Sequence, residues 1–358
     1  MTNVELLRGP LGDDELRAVS ELYGSHDTRY GDVDFCRYQF NRNPYGFSLH
    51  AFARVGGDRV GHFSLIPVVT RVGKAIRMTG KAEAMFMRED HRKRRGERTE
   101  ESLAMTMVRR LYEFADGEGF ADTHSLGRPA FAKIHAAGGA RVLEFQRRQF
   151  AFFLRPEAVG GLLGDEVAPG RAREIFDRQQ RLLAEARAEV ERLAAERRDI
   201  GPGELGTLDV DAFMRLAPQD GRWTVAPTPE SADWHLGSPT LRRMSATSGP
   251  DRFECVYSGL GSGTWFELFD WRCSESARPL ALWSACRLIA DAEREGRDLL
   301  CFFDWSQYNP AAGALAEVAE RLGMEAVERP RLIYVRSSDP AFATPDGMTF
   351  SPYFYATF

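Results

Sequence analysis

Cysteine is scarce in this chain: five in 358 residues, at Cys36, Cys255, Cys273, Cys286 and Cys301. The number is odd, no pair has CxxC spacing and no histidine neighbours them. A disulfide scaffold and a zinc site are therefore not expected. No apolar run reaches 18 residues, so no helical membrane span is expected. The start, MTNVELLRGPLGDDEL, carries acids where a signal peptide has a basic segment and an apolar run, which points to a cytoplasmic chain. A basic excess is also missing. Lys+Arg number 47 against 52 Asp+Glu, a net charge of −5, which argues against generic nucleic-acid binding. Nucleophile motifs are absent too: GSGTW (261–265) is not GxSxG. GLGSG (259–263) reads as a hairpin turn, since no helix follows it.

What is present is apolar and aromatic. The hydrophobic fraction is 43%, with 24 Phe, 10 Tyr and 6 Trp, enough for two cores in a chain the size of about two domains. Residues 12–24 read as a helix with Leu16, Val19 and Leu22 on one face. FCRYQFNRNPYG (35–46) is an aromatic segment ending in an Asn-Pro turn. FSLHAFARV (47–55) and RVGHFSLIPVV (59–69) alternate around a Gly56-Gly57-Asp58 hairpin, and 74–87 continues the antiparallel meander. The polar, basic stretch HRKRRGERTEE (91–101) leads into an amphipathic helix over 102–119. A short strand at 120–124, a helix over 128–138 with Pro129 at its first turn, and a strand over 142–154 follow.

Segment 157–200 is rich in Ala, Arg and Glu, with Phe176, Leu183 and Val190 seven apart. It predicts one long charged helix, either a brace between domains packed on one body, or the seam of a homodimer or a projecting arm. Ile200-Gly201-Pro202-Gly203 reads as a linker. Beyond it come two strands within 253–273, a helix over 278–296, a buried strand over 298–305, a helix over 309–323 and a strand over 331–337.

The halves repeat. RRLYEFADGEG (109–119) aligns with CRLIADAEREG (286–296), matching Ala115 with Ala292 and Gly119 with Gly296. AFAKIHAAGGARVLE (130–144) aligns with ALAEVAERLGMEAVE (314–328), matching Gly139 with Gly323. Each half also places an aromatic residue upstream of a turn proline: Tyr38 before Asn43-Pro44, and Trp234 before Ser238-Pro239. Matching order and spacing indicate a divergent duplication.

Helix, antiparallel meander, loop-to-helix crossover, strand, helix ending in Gly, strand: this order resembles the GNAT superfamily of CoA-dependent N-acyltransferases. The motifs that carry the resemblance are MREDHRKRRGERTEESLAMTMVRRL (87–111) and RPAFAKIHAAGGARV (128–142). The resemblance implies an α/β (α+β) fold of two tandem GNAT-like domains with mixed, mostly antiparallel sheets. They would span 1–156 and 204–358, joined by the helical segment 157–203. It implies transfer of an acyl group, acetyl above all, from acetyl-CoA or another acyl-CoA to an amine of a small molecule such as an amino sugar or natural-product intermediate. No metal is implied.

In such a protein the donor site would comprise Met85 and Met87 on the strand, and Arg92, Arg94, Arg95, Gly96, Arg98 and Thr99 in the loop. Backbone N–H groups opening a helix wrap a pyrophosphate, and glycine allows the close approach. The loop departs from the family pattern Q/R-x-x-G-x-G/A by keeping one glycine. The strand before the loop would supply a backbone N–H to the oxyanion. Glu83 on that strand is a candidate general base, since a half-buried carboxylate is a stronger base than a solvated one. His124, at the end of the strand that splays away, is a second candidate base. A Tyr four residues before the helix-terminal Gly is the family's usual acid; that position is His135 if the glycine is Gly139, and Ile134 if it is Gly138. The terminal carboxylate of Phe358 is a further candidate. Tyr30, Tyr38, Tyr45, Trp234, Trp265 and Trp305 could line an acceptor pocket or fill the cores. Two other readings stand beside this one. One is an aminoacyl-tRNA-dependent transferase of the FemAB type using the long helix as an RNA-contacting arm; the other is a non-catalytic binding protein.

Overall fold

A computed structural model describes residues 2–24, 29–72, 74–91, 102–120, 122–127, 129–145, 148–164, 167–196, 201–202, 224–225, 228–239, 241–258, 265–273, 278–304, 313–328 and 331–340. The strands run β1 (Thr2–Arg8), β2 (Leu49–Val55), β3 (Asp58–Val72), β4 (Ala75–Met87), β5 (Asp122–Gly127), β6 (Arg141–Phe145), β7 (Arg148–Phe153), β8 (Gly201–Pro202), β9 (Thr224–Val225), β10 (Leu241–Ser248), β11 (Asp251–Ser258), β12 (Trp265–Cys273), β13 (Leu299–Asp304), β14 (Glu325–Glu328) and β15 (Arg331–Arg336). The helices used below are α1 (Asp13–Tyr23), α2 (Val33–Asn41), α3 (Leu103–Gly117), α4 (Ala132–Ala137), α5 (Glu157–Leu163), α6 (Pro169–Glu196), α7 (Pro229–Leu236), α8 (Arg278–Arg294) and α9 (Gly313–Arg321).

Two sheets form. The first has the order β1-β2-β3-β4-β5-β15-β6, with β9 added to β3; the second has the order β14-β7-β13-β12-β11-β10-β8. Each half thus lends its last strand to the other. β15 lies between β5 and β6, and β7 between β13 and β14. The crossings are short: two residues separate β6 from β7, and two separate β14 from β15. The strand expected over 142–154 is therefore two strands on different sheets. The division of the chain at 156 and 203 is not a division of the sheets.

The long helix also differs from expectation. Gly164, at φ 106°, separates α5 from α6. α6 lies along the second sheet, burying Ile175, Gln179, Leu183 and Ala186. Beyond β14's first residue, β7 has no strand on that side among the described residues. The Gln179 amide fills in, accepting from Phe153 N (2.8 Å) and donating to Ala151 O (3.1 Å). Exposed pairs Arg187–Glu293 and Arg321–Glu189 fasten its outer turns to α8 and α9.

The repeat glycines share one geometry. Gly119, Gly139, Gly296 and Gly323 all have positive φ, between 61° and 82°. After each, the next N–H reaches back five residues: Phe120 to Ala115, Ala140 to His135, Arg297 to Ala292, Met324 to Ala319. This is the left-handed C-terminal cap that glycine takes without a Cβ clash, and it accounts for the matched positions.

Elements missed from sequence include β1, α2, α7, β10 and the short β8 and β9. α2 begins at Asp32, whose side chain accepts from Asp34 N (2.8 Å), and buries Phe35, Cys36, Gln39 and Phe40 at helical spacing. α1 and α2 cover one face of the first sheet with Leu16, Val19 and Phe40; α3 covers the other with Met107, Val108 and Leu111.

Candidate active site

β4 and β5 are parallel partners over three residues only, Thr79–Lys81 against Asp122–His124. Past that point, 82–87 and 125–127 are not paired with each other among the described residues. At the same point β4 carries a bulge. His62 pairs with Phe86 and Ser64 with Glu83, so the single residue Phe63 faces both Ala84 and Met85. Ala84 has φ 42°, the positive-φ non-glycine among the described residues. An L-residue there is strained by about 1–3 kcal/mol, and such strain recurs where backbone must be re-aimed at a site. Ser64 holds the bulge: its Oγ donates to Glu83 O at 2.8 Å. The sequence has no glycine to announce this turn.

Strand alternation puts Lys81 and Glu83 on the face toward α2. Lys81 Nζ lies 2.7 Å from Glu83 Oε1, and both side chains are almost wholly buried. Gln39 Nε2, from α2, donates to the same oxygen at 3.3 Å. Glu83, read from sequence as half-buried, is thus fully enclosed, and the ammonium offsets its charge. His124 is Lys81's partner across the parallel register and is fully buried. Burial first, and then the Lys81 charge, lowers its pKa to about 3, so it is neutral.

His135 is elsewhere. Gly138 has helical φ and Gly139 the left-handed one, so the terminal glycine is Gly139 and His135 is four residues before it. Its ring stacks on Tyr334 at 4.2 Å and 9°, and Nδ1 meets Tyr112 Oη at 2.7 Å. It is buried on the α3 side of the sheet, with its pKa lowered to about 4 by burial.

Met87 is buried and Met85 half-buried toward α3. Arg92, Arg94, Arg95, Gly96, Arg98 and Thr99 lie outside the described residues, as do Trp305 and Phe358. α3 opens with Ser102, whose Oγ accepts from Met105 N (3.2 Å). Tyr30 is core, Trp265 is exposed, and Tyr38 packs on Trp234 across the halves. Among the described residues no group of three metal-ligating side chains occurs, and no helix is long and apolar enough to cross a membrane.

The splay and bulge recur in the second sheet. β12 and β13 are parallel over Trp265–Leu268 and Leu299–Phe302, and the β11–β12 register shifts immediately after, between Val256 and Tyr257.

No family sequence model and no curated protein matches the chain. Solved structures do. The N-myristoyltransferase of Saccharomyces cerevisiae, with bound myristoyl-CoA, superposes with TM-score 0.55 at 12% identity, over 99% of this chain and 87% of that one. A tandem GNAT protein from the clavulanic acid biosynthesis pathway gives 0.53 at 13%, over 94% and 99%. A probable N-acyltransferase from Enterococcus faecalis gives 0.53 at 8%, over 94% and 73%. The chain has the tandem GNAT fold. The two-domain α/β architecture expected from the repeat is the one observed.

Proposed function

We propose that the protein is an N-acyltransferase that moves an acyl group, acetyl above all, from CoA to the amine of a small molecule in the cytoplasm. The observation that carries this is the strained Ala84 bulge at the mouth of the β4–β5 splay. In this reading the re-aimed backbone N–H groups of the bulge face the thioester carbonyl, and such fixed donors stabilise an oxyanion. Met85 and Met87 flank the carrier arm. Arg92, Arg94, Arg95, Gly96, Arg98 and Thr99, ahead of α3, take the pyrophosphate, helped by the helix's positive end.

In this reading the amine nitrogen attacks the thioester carbon, the C–S bond breaks, and the thiolate leaves to be protonated from solvent. Glu83 accepts the amine's proton. Lys81 and Gln39 hold its carboxylate. His124 and His135, both neutral, are positioning residues: His124 beside Lys81, His135 through Tyr112 and Tyr334. The tRNA-dependent alternative loses its projecting arm, because α6 lies packed on the second sheet.

Calorimetric titration with acetyl-CoA, longer acyl-CoAs and free CoA tests the donor. Micromolar binding, weakened by Gly96→Val, is expected. Absence of binding to all three would remove the reading. Glu83→Gln should then lower kcat by at least tenfold with donor affinity unchanged.

A further inference from the structure

A second polar group lies beside the bulge on the same face, outside the roles given above. Ser48, His50 and His62 form a buried chain: Ser48 Oγ to His50 Nε2 at 2.6 Å, His50 Nδ1 to His62 Nε2 at 3.0 Å. All three side chains are fully buried. One polarity satisfies both contacts at its far end. Ser48 Oγ also contacts Phe40 O at 3.1 Å, and a carbonyl only accepts, so the hydroxyl proton is spent there. In that arrangement Ser48 accepts from His50 Nε2–H. His50 Nδ1 is left as an acceptor, and His62 Nε2–H donates to it. His62 Nδ1 therefore carries a lone pair, and among the described residues it has no hydrogen-bond partner. Burial, then His50, then Arg59 keep His62 neutral, so the polarity persists at ordinary pH.

A buried acceptor left unmatched costs about 1–3 kcal/mol and calls for an explanation. Its surroundings supply one. His62 is the β3 partner of Phe86, the residue just past the bulge, and is two residues from Ser64, the partner of Glu83. His62 and Glu83 therefore flank the bulge on one face, roughly 7 Å apart along the strand. Phe52 (4.7 Å) and Tyr23 (6.1 Å) wall the ring, and Tyr23 packs on Phe86. Phe86 and Leu22 also line an open groove of about 890 Å³. Its carboxylates are Asp14, Glu15, Glu21, Asp58, Glu89 and Asp90, set against three arginines. That excess of negative charge draws a cation in.

We propose that His62 is the acceptor-recognition residue, and that the acceptor is a primary amine on an aromatic or apolar body. It rests on the acyltransferase reading. The amine enters as a cation along the acidic groove and passes Phe86. One N–H then donates to His62 Nδ1 and another to Glu83, which takes that proton; the amine turns about its hydrogen bond to His62 to present the freed lone pair to the thioester carbon at the bulge. The ring walls hold the body. Ser48 and His50 act by fixing the tautomer.

The test is nitrogen-15 NMR of the wild-type histidine rings during titration with 2-phenylethylamine, tyramine and cyclohexylmethylamine. Free His62 should show the Nε2–H tautomer, and at least one amine should move its Nδ1 resonance saturably. An unmoved Nδ1 with all three overturns the proposal, and needs no variant to fold. In acetyl transfer to the amine that binds, His62→Phe should raise KM for the amine at least tenfold with CoA affinity unchanged, and His62→Asn should recover part of it. An unchanged KM also overturns it. Movement of Nδ1 without any acetyl transfer by the wild type would sink the acyltransferase reading and leave the amine site standing. Transfer with an unmoved Nδ1 would do the reverse.

Discussion

Tyr38 and Trp234 stack across the two halves, ring centroids 6.2 Å apart and planes at 19°. Each donates to the other's backbone carbonyl: Tyr38 Oη to Trp234 O, and Trp234 Nε1 to Tyr38 O at 3.2 Å. They are the two aromatic residues that the repeat places upstream of matching turn prolines. The duplication has brought its own equivalent positions face to face, joining α2 to α7. Trp234→Ala should cost about 3–5 kcal/mol, as for other buried aromatic truncations, whereas Tyr38→Phe should cost about 1 kcal/mol for one hydrogen bond. Urea denaturation measures both. Equal, small losses would show that the pair is not part of the joint.

Neither half should fold alone. A fragment of residues 1–156 lacks β15, whose Ile333, Tyr334 and Val335 are fully buried between β5 and β6. Made separately, each fragment should lack near-ultraviolet circular dichroism and bind hydrophobic dye. Mixing the two during refolding should restore the signal. A fragment that folds cooperatively by itself would refute the interdependence.

Stability should fall in mild acid. His50 and His124 are lowered to about 3 and His135 to about 4, each by burial, and His62 is lowered as well. The unfolded chain therefore binds protons that the folded chain refuses. The stability is fully present above the unfolded value near 6.5 and is lost as pH falls toward 4 and 3. Each group contributes a slope of up to about 1.4 kcal/mol per pH unit. Melting temperature should be level above pH 7 and drop steeply below 6.5. A level profile down to pH 5 would contradict the burial of these rings as neutral groups.

Ala84 offers a test of the bulge itself. Ala84→Val puts a β-branched side chain at positive φ and should cost roughly 1–3 kcal/mol, while Ala84→Gly should be tolerated within about 1 kcal/mol. If acyl transfer uses the bulge, the valine variant should also lose turnover. Equal stability of all three proteins would mean that the backbone at 84 is unstrained.

Local signals were readable, and distant ones were not. The hairpin at Gly56-Gly57, the meander and the glycine-capped helices announce themselves within a few residues, because turn and cap chemistry is local. Lys81 and Glu83 share a face by simple alternation. Gln39, which completes their cluster, lies 44 residues away and on a helix that aromatic crowding disguised. The β6–β7 crossing was hidden because VLEFQRRQFAFFL keeps a strand-like pattern through it; only pairing partners distinguish one strand from two. Ala84 carries no turn signal, since the bulge is imposed by Ser64 and the parting of β4 and β5. The burial of His135 could not be read locally, because its aromatic partner Tyr334 arrives from the other end of the chain.

The strand exchange also sets a timetable for synthesis. β6 ends at Phe145, but the strand that must separate it from β5 ends at Arg336, roughly 190 residues later. At about 5–20 residues per second the ribosome needs on the order of 10–40 seconds to deliver it. For that interval β5 and β6 have open edges, and so does β7, which waits for β13. Newborn chains crowded on one message are then each other's nearest source of a missing strand. Slow codons or crowding in that window would favour exchange between chains over exchange within one.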